Sequence, residues 1–335
     1  MTEIFATLGP MCSETDTLYR MLLEGMNGMR LNLSHTSLRE SREIIERYDR
    51  ARERAGVQAQ LLIDLQGGEL RIGRSFDCML LETGSKVELL QEKAPGYISV
   101  PGKVFAAITD GDEILLDDGQ ILLRAEETGD RITASVIRGG KLFGGKSVKI
   151  PGKDIKGDIL PLQDIENLRV CKDYGVTAIM QPFVTSGDDL RLLKEFFLTE
   201  NISRPRIFAK IENMQGVDNL DSIIPEADMI VIARGDLGND APLWKLPAIQ
   251  KRIEKACNDA GCPFLVVTQM LSSMISSAVP TRAEVSDVFN AVADGASAVM
   301  VTNETAIGNY PVEVIKYLRK TADEAEIYKR EYDQR

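Results

Sequence analysis

The stretch Ile207–Glu212, I-F-A-K-I-E, and its companion Met229–Gly238, M-I-V-I-A-R-G-D-L-G, are short apolar runs that end abruptly in charge. Apolar runs of this length, bounded by turn signals, are typical of strands buried on both faces of a parallel sheet. Side chains alternate along a strand, so Lys210 and Glu212 point to the same face. A lysine and two carboxylates at neighbouring strand ends predict a site for a divalent metal and an anionic substrate. Taken alone, a structural Lys–Glu pair explains these two segments equally well.

The same alternation of strands and helices runs through most of the chain. The predicted strands are Ile4–Leu8, Gly28–Leu33, Gln60–Asp64, Thr177–Gln181, Ile207–Ile211, Met229–Ala233, Phe264–Thr268 and Ala298–Thr302. The predicted helices include Glu14–Glu24, Ser37–Ala55, Gln163–Asp173, Leu246–Asp259, Thr281–Ala293 and one from Tyr310 onward. Eight β/α units close into a barrel whose site lies at the carboxyl ends of the strands. We therefore expect an α/β protein with a (β/α)8 TIM-type barrel.

A different pattern fills the segment from Gly73 to Lys153. It has short alternating runs broken by Gly, Asp and Pro, without a convincing amphipathic helix. Antiparallel strands are expected at Val87–Gln91, Glu113–Leu116, Gln120–Ala125 and Arg131–Ile137. We interpret residues 73–153 as a small β-barrel-like lid domain inserted after the third strand. Residues 1–72 and 154–335 then form the barrel.

Composition and charge exclude several classes of function. The net charge of −11 argues against a binder of nucleic acid or of anionic membranes, because such a protein needs a basic face. The longest apolar runs are too short to span a membrane, and the N-terminus lacks the features of a secretory signal. Five scattered cysteines without C-x-x-C spacing are typical of the reducing cytoplasm. With His35 as the single histidine, the chain has almost no material for a histidine-based metal site or a Ser-His-Asp triad.

Polar residues stand where the predicted strands end, and a barrel would bring them to one rim. After the sixth strand we expect Arg234, Gly235 and Asp236 to form a loop. The other strand ends carry Arg30, Asn32, Ser34, Asp64, Arg71, Lys210, Glu212, Thr268, Gln269, Thr302, Asn303 and Glu304. Cations suit phosphate or carboxylate groups, and carboxylates suit Mg²⁺. The set predicts phosphoryl transfer or enolate chemistry on a small anionic acid.

Short motifs spread along the whole chain carry a more specific signal. Those in the first half are Thr7–Pro10, Gly25–Asn27, Arg30–His35, Ile63–Gly67, Glu69–Arg71 and Ile114–Gly119. Those in the second half are Lys210–Asn213, Ala233–Gly238, Thr268–Leu271, Pro280–Glu284 with Ser286 and Asp287, Glu304–Ala306, Gly308 and Tyr310–Pro311. In this order and spacing, the chain resembles the pyruvate kinase family. The resemblance implies a TIM-type barrel whose third unit carries a β-rich lid.

The resemblance also implies an activity, which is the glycolytic conversion of phosphoenolpyruvate and ADP to pyruvate and ATP through an enolpyruvate. It assigns Arg30 to the phosphate and Lys210 to the charge on the transferring phosphoryl group and the enolate oxygen. Thr268 lies near the carbon that is protonated. The resemblance implies that Glu212 and Asp236 bind Mg²⁺ or Mn²⁺. The residues that help to hold the substrate carboxylate are Ala233, Arg234, Gly235 and Asp236.

The resemblance further implies a K⁺ site and a nucleotide site. The ligands of the monovalent cation match Asn32, Ser34, Asp64 and the backbone oxygen of Leu65. At the position of Glu69, the K⁺-dependent members of the family also carry glutamate. The residues that match the nucleotide side are Asn32, His35, Arg71 and Lys146. Purely structural roles are the alternative for several of these residues. Ser34 and Thr268 suit strand-end caps, and Lys146 suits a solvated surface charge.

The chain departs from the family pattern on the nucleotide side. Gln66 replaces a lysine, Gly68 a proline, Asn303 a glycine and Thr185 an arginine. We expect these changes to affect nucleotide choice and turnover more than the enolate chemistry. The sequence also ends just after the eighth barrel helix, whereas the family usually continues into a C-terminal effector domain. We therefore expect no sugar-phosphate control through that domain, and a homodimer or a monomer rather than a tetramer.

Two other functions fit part of the pattern. A metal-dependent lyase or aldolase acting through a pyruvate enolate would use Lys210, the metal and Thr268. A non-catalytic metabolite-binding relative would explain Gln66 and Asn303. Arg71 and the inserted domain weigh against the lyase, and the intact metal and phosphate set weighs against the non-catalytic relative.

Overall fold

The computed structural model describes residues 1–34, 36–92, 94, 96–117, 119–153, 155 and 157–332. These residues form two compact units. The first comprises Met1–Gly67 and the described residues from Leu160 onward, and the second is Gly68–Ile159. The division therefore falls after Gly67 and Ile159, whereas the sequence interpretation placed it after residues 72 and 153.

The strands of the described residues follow the predicted rhythm. In chain order they are β1 (Glu3–Thr7), β2 (Gly28–Asn32), β3 (Gln60–Asp64), β4 (Cys78–Leu81), β5 (Lys86–Leu90), β6 (Ile98–Ser99), β7 (Glu113–Leu116), β8 (Ile121–Glu127), β9 (Ile132–Arg138), β10 (Gly140–Phe143), β11 (Val148–Lys149), β12 (Ala178–Gln181), β13 (Arg206–Ile211), β14 (Met229–Ala233), β15 (Phe264–Val267) and β16 (Ala298–Met300). Eight of these described strands close into a parallel barrel in the order β1-β16-β15-β14-β13-β12-β3-β2. The predicted TIM-type barrel is confirmed.

Helices cover the outside of the barrel and one lies in the second unit. They are α1 (Thr15–Leu23), α2 (Arg42–Ala55), α3 (Gly102–Ala107), α4 (Leu162–Val170), α5 (Gly187–Thr199), α6 (Met214–Asp218), α7 (Leu220–Ile223), α8 (Arg234–Asp240), α9 (Leu246–Ala260), α10 (Arg282–Ala293), α11 (Asn303–Ala306) and α12 (Pro311–Tyr332). Short 3₁₀ segments occur at Pro10–Cys12, Cys171–Tyr174, Ile224–Glu226, Leu243–Lys245 and Ser272–Ile275. Local sequence explains many boundaries. Capping boxes begin α5 at Ser186 and α10 at Thr281, and Gly56 in the left-handed region ends α2.

Two helix predictions differ from the structure. Helix α2 begins at Arg42 rather than at Ser37, because the Glu40 carboxylate accepts the Ser37 backbone N–H at 2.8 Å and holds a turn there. The inserted segment contains α3, which was not predicted. Six residues are too few for helical periodicity to stand out in a sequence.

Side chains of the barrel strands alternate between the interior and the layer of helices. On β13, Ile207 and Ala209 belong to the core under the helices, whereas Phe208 belongs to the interior cluster. That cluster consists of Phe5, Leu62, Ala178, Met180, Phe208, Met229, Val231, Ala233, Leu265, Val267, Ala298 and Met300. Phe5 and Phe208 pack edge to face with ring centroids 6.4 Å apart. A Cβ on Gly28 would lie 2.8 Å from the Phe5 ring, so only glycine fits beside it.

The second unit has its own sheet and its own apolar core. Strands β11, β7, β8, β9, β5 and β6 form one sheet in that order, and β10 pairs with β4. Alternate residues of β8 and β9, such as Leu123 and Ala134, are buried in this core. Among the described residues of both units, no helix combines the length and apolar character that a membrane span requires.

Candidate active site

Polar side chains replace apolar ones on the interior face as the strands approach their carboxyl ends. Arg30 and Asn32 on β2, Asp64 on β3, and Lys210 with Glu212 at the end of β13 follow the interior positions by alternation. Asn32 and Asp64 are register partners on adjacent strands. Strands β3 and β13 are separated only by β12, and alternate strands contribute side chains to the same layer of such a barrel. The predicted shared face of Lys210 and Glu212 is what brings both to this layer.

Asp64 is the centre of a buried ionic network. Its carboxylate accepts Lys210 Nζ at 3.2 and 3.1 Å, and it accepts Arg30 Nε at 2.8 Å. Arg30 Nη2 lies 2.6 Å from the same carboxylate, and Arg30 Nη1 donates to the Thr7 hydroxyl at 3.1 Å. Lys210 Nζ also lies 2.9 Å from Glu212 Oε1. Both acids are almost fully buried, with Asp64 1% and Glu212 2% exposed, so each needs its cationic partners.

The network determines the protonation states of Asp64 and Lys210. Burial by itself would raise the pKa of Asp64, but the charges of Lys210 and Arg30 outweigh burial and hold that pKa below its usual value. Burial opposes the charged form of Lys210, but Asp64 and Glu212 outweigh it and raise the pKa of the lysine. At neutral pH, Lys210 is therefore an ammonium ion and Asp64 a carboxylate. Such a lysine can stabilise anionic charge but cannot act as a base.

Glu212 is held in place from a second direction by the turn after β12. The Phe183 backbone N–H donates to Glu212 Oε2 at 2.7 Å. Phe183 has φ +52°, a left-handed conformation that is uncommon for a bulky residue. Backbone strain of this kind persists only where the surroundings hold it, and it clusters at functional sites. The carboxylate of Glu212 is thus oriented by Lys210 on one oxygen and by Phe183 on the other.

Asp236 lies on the neighbouring unit of the barrel. The parallel register of β13 and β14 pairs Ile211 with Ile232, so Glu212 is level with Ala233 at the end of β14. Asp236 follows in the first turn of α8. The expected loop at residues 234–236 is therefore wrong, since the strand passes directly into a helix. The acidic residue in the first turn favours this helix start.

Thr268 follows the end of β15 in a strained conformation. Its φ is +80° and that of Gln269 is +56°, although a β-branched residue rarely adopts positive φ. The Thr268 carbonyl oxygen accepts Arg234 Nε at 3.1 Å and Arg234 Nη2 at 2.7 Å. Arg234 Nη1 donates to Asp287 of α10 at 2.8 Å. Arg234, expected to help hold a substrate carboxylate, thus places its guanidinium on the Thr268 backbone and on Asp287.

The residues matched to a monovalent cation lie together at the ends of β2 and β3. The Asn32 side-chain oxygen accepts the Ser34 backbone N–H at 3.1 Å, which fixes the turn after β2. Leu33 N donates to the Asp64 carbonyl oxygen at 2.9 Å. The buried Leu65 follows Asp64 and donates its N–H to Met180 at 3.1 Å. Oxygen donors from Asn32, Ser34, Asp64 and Leu65 therefore belong to one pair of adjacent strand ends.

The remaining nucleotide-side residues belong to the second compact unit or lie outside the described residues. Arg71 forms an ion pair with Glu69, and its Nη1 donates to the Gly145 carbonyl oxygen at 2.9 Å. Lys146 lies 2.8 Å from Asp117 in an ion pair. His35 falls outside the part of the chain that the structure describes.

The structure adds residues that sequence reasoning did not single out. Asp164 in the first turn of α4 is fully buried and accepts the backbone N–H groups of Gln66 at 3.0 Å and Gly67 at 2.7 Å. Burial raises its pKa to about 6, although these two N–H donors act in the opposite direction. Asp287 stood within a recognised motif but had no assigned role. Nothing in the sequence signals either partnership, since the contacts span many residues.

Two family departures have local structural roles. The Thr185 N–H and hydroxyl both donate to Asp189, at 2.7 and 2.9 Å, so Thr185 supports the start of α5. Asn303 opens α11, and its carbonyl oxygen accepts the N–H groups of Ile307 and Gly308 at 3.1 and 3.0 Å.

Comparison with known proteins gives a consistent result. Residues 1–315 match the family model described as pyruvate kinase, barrel domain. A pyruvate kinase from Thermococcus litoralis is 38% identical over 334 residues, which cover 98% of this chain and 70% of the relative. A pyruvate kinase from Mycobacterium intracellulare is 34% identical over 325 residues, covering 95% of this chain and 68% of the relative.

A solved structure agrees with these sequence matches. The crystal structure of a pyruvate kinase from Cryptosporidium parvum superposes with a TM-score of 0.86 at 30% sequence identity. The match covers 97% of this chain and 69% of that one. Together with the barrel, its ionic centre and the family model, these similarities show that the chain belongs to the pyruvate kinase family of phosphotransferases.

Proposed function

We propose that the protein transfers the phosphoryl group of phosphoenolpyruvate to ADP, giving pyruvate and ATP. The P–O bond to the enol oxygen breaks, a terminal oxygen of ADP gains the phosphoryl group, and the enolate carbon gains a proton. The observation that supports this most strongly is the clamping of Asp64 between Arg30 and Lys210, with Glu212 on the same lysine. Cations held in a largely buried barrel mouth suit a reaction in which negative charge moves between oxygens.

Arg30 is our candidate for binding the phosphate. A guanidinium has five N–H groups, and three of its contacts in this network go to Asp64 and Thr7. The remaining N–H groups are available to a phosphate, and the fixed fork suits bidentate recognition. Lys210, whose raised pKa keeps it charged, is our candidate for stabilising the transferring phosphoryl group and the enolate oxygen.

Glu212 and Asp236 fit a divalent cation by the chemistry of their oxygens. The described residues contain no cluster of three or more His, Cys, Asp or Glu side chains that would hold a metal alone. Mg²⁺ is commonly held through one or two carboxylates, with water and substrate phosphate as its other ligands. We therefore assign Mg²⁺ or Mn²⁺ to these two acids. When bound, the ion supplies Lewis-acid stabilisation of charge on the substrate oxygens.

Asn32, Ser34, Asp64 and the Leu65 backbone oxygen fit K⁺, because all four offer hard oxygen donors at adjacent strand ends. We assign the substrate carboxylate to Ala233, Arg234, Gly235 and Asp236, which lie at the end of β14 and in the first turn of α8. Thr268 is assigned to delivery of a proton to the enolate carbon. Asn32, Arg71, Lys146 and His35 are proposed for the nucleotide side.

A coupled assay tests this function. Pyruvate formation from phosphoenolpyruvate, Mg²⁺ and K⁺ is followed with lactate dehydrogenase and NADH, with and without ADP. The proposal requires pyruvate only when ADP is present, together with stoichiometric ATP. ADP-independent pyruvate would favour a lyase-type enolate reaction, and no pyruvate under either condition would favour a metabolite-binding relative. For Lys210→Met in the same assay, Lys194→Met is the control, because it removes a lysine from a partly exposed ion pair with Glu226.

A further inference from the structure

We propose that Arg234 and Asp287 are positioning residues, which hold the Thr268 backbone in its left-handed conformation and thereby place the Thr268 hydroxyl for proton delivery. The inference rests on the proposed function, because it takes proton delivery by Thr268 as its starting point. The two residues would act by setting the position of Thr268.

The first observation is that the Thr268 backbone is held in an unfavourable conformation. Threonine at φ +80° conflicts with its own Cβ branch, and Gln269 continues in the same region at +56°. Such a geometry persists only where surrounding contacts determine it. The turn after β15 must therefore be held by its neighbours.

The second observation identifies what holds it. Two nitrogens of Arg234 donate to the single Thr268 carbonyl oxygen, at 3.1 and 2.7 Å. Arg234 Nη2 also lies 2.9 Å from the sulfur of the buried Met270, so the guanidinium follows the turn beyond Thr268. The planar guanidinium can satisfy these acceptors together, whereas a lysine ammonium has no such fixed fork.

The third observation concerns Asp287. Its carboxylate lies 2.8 Å from Arg234 Nη1 and its side chain is one-third exposed, whereas Arg234 is 12% exposed. Asp287 is carried by the twelve-residue helix α10, which a capping box begins at Thr281. A helix packed on the barrel thus sets the orientation of the arginine, and the arginine sets the turn.

The fourth observation is on the opposite side of Thr268. A Cβ built on Gly235 would lie 3.2 Å from Thr268 Cγ2 and 3.6 Å from Thr268 Oγ1. The threonine side chain therefore rests on the bare backbone of Gly235, next to Arg234 itself. Thr268 is confined between the guanidinium on its carbonyl side and the Gly235 backbone on its side-chain side.

A double-mutant cycle separates positioning from general support. Asp287→Asn keeps the shape but removes the charge that orients Arg234, and we expect kcat to fall about tenfold with KM for phosphoenolpyruvate changed less than about threefold. In a Thr268→Ala background the hydroxyl is already gone, so Asp287→Asn should lower kcat by less than about twofold. Asp259→Asn, at an exposed ion pair with Lys255, is the matched control.

Gly235→Ala tests the same idea without touching the ionic pair. The added methyl group would lie 3.2 Å from Thr268 Cγ2, so the Thr268 side chain must shift by a few tenths of an ångström, and we expect kcat to fall about tenfold. Arg234→Lys should also resemble Asp287→Asn in its kcat and KM.

The outcomes distinguish this inference from the function beneath it. If wild-type protein forms no ADP-dependent pyruvate, the proposed function falls and the inference falls with it. If wild type is active but Asp287→Asn lowers kcat equally with and without the Thr268 hydroxyl, only the inference is overturned. Full activity of Gly235→Ala would overturn it as well, even if Asp287→Asn failed to fold.

Discussion

Lys210 reaches Asp64 across an intervening strand, and its ammonium lies 3.2 and 3.1 Å from the two carboxylate oxygens. The residues stand on β13 and β3, with β12 between them, and are 146 positions apart in the chain. The pairing of β3 with β12 and of β12 with β13 is what makes them neighbours. The ion pair therefore forms only when these strands have assembled, and it is part of the candidate active site.

Lys210→Met should abolish phosphoryl transfer, because no other described ammonium occupies the contact between Asp64 and Glu212. The variant should also lose about 3 kcal/mol of unfolding free energy, since it leaves the buried Glu212 without its cationic partner and Asp64 with Arg30 alone. Urea unfolding and the coupled assay would measure the two effects. Near-normal turnover in Lys210→Met would remove the role assigned to Lys210.

Glu212→Gln should weaken Mn²⁺ binding about tenfold or more, because the amide loses the negative charge while retaining an oxygen for the Phe183 N–H. Electron paramagnetic resonance of free Mn²⁺ in the absence of substrate measures this directly. Glu226→Gln, at a surface pair with Arg191 and Lys194, is the control and should bind as wild type does. Equal Mn²⁺ affinity in Glu212→Gln would contradict the metal assignment.

Arg30→Lys should raise KM for phosphoenolpyruvate about tenfold or more, with a smaller effect on kcat. A single ammonium cannot bond Asp64, Thr7 and a phosphate with the geometry of a guanidinium. Steady-state kinetics at saturating ADP would give both parameters. Arg206→Lys is the control, because Arg206 begins β13 and lies at the end of that strand away from Lys210. The assignment of Arg30 to the phosphate fails if both variants change KM alike.

Asp164 gives a prediction about pH. Because burial raises its pKa from 3.8 to about 6, the native state binds this proton more tightly than the unfolded chain. The resulting stability is fully present below pH 3.8 and is lost as pH rises through 6. Wild type should therefore lose about 1.4 kcal/mol relative to Asp164→Asn between pH 5 and 7.5.

Urea unfolding of both proteins at the two pH values measures this difference. Asp158→Asn, at an exposed pair with Lys103, provides the comparison for loss of an unburied carboxylate. A pH-independent difference between wild type and Asp164→Asn would show that the carboxyl group has an ordinary pKa.

The barrel was predictable because its strands carry their own signal. Alternation on Ile207–Glu212 and on Gly28–Asn32 follows from burial of one face against helices and the other in the interior. The same alternation predicted that Lys210 and Glu212 share one face and that Arg30 and Asn32 share one face, and the structure shows that this face is the barrel interior.

The partnerships of these residues were less predictable. Arg234 binds Thr268 and Asp287, which lie 34 and 53 positions away, and no local pattern encodes such contacts. The left-handed backbone of Thr268 contradicts the preference of threonine, so sequence reasoning would assign it the opposite conformation. The late start of α2 arises similarly, since the side chain of Glu40 binds a backbone group that the helix would otherwise use.

The ionic centre at Asp64 has a consequence for how the mouth attracts anions. Two positive and two negative charges, on Arg30, Lys210, Asp64 and Glu212, cancel, and Asp236 adds a further negative charge. A trianionic metabolite arriving alone therefore meets no net attraction from these side chains, despite the two cations. Under the proposed function, a divalent cation on Glu212 and Asp236 would reverse this balance and restore a net positive charge where the phosphate of the substrate arrives.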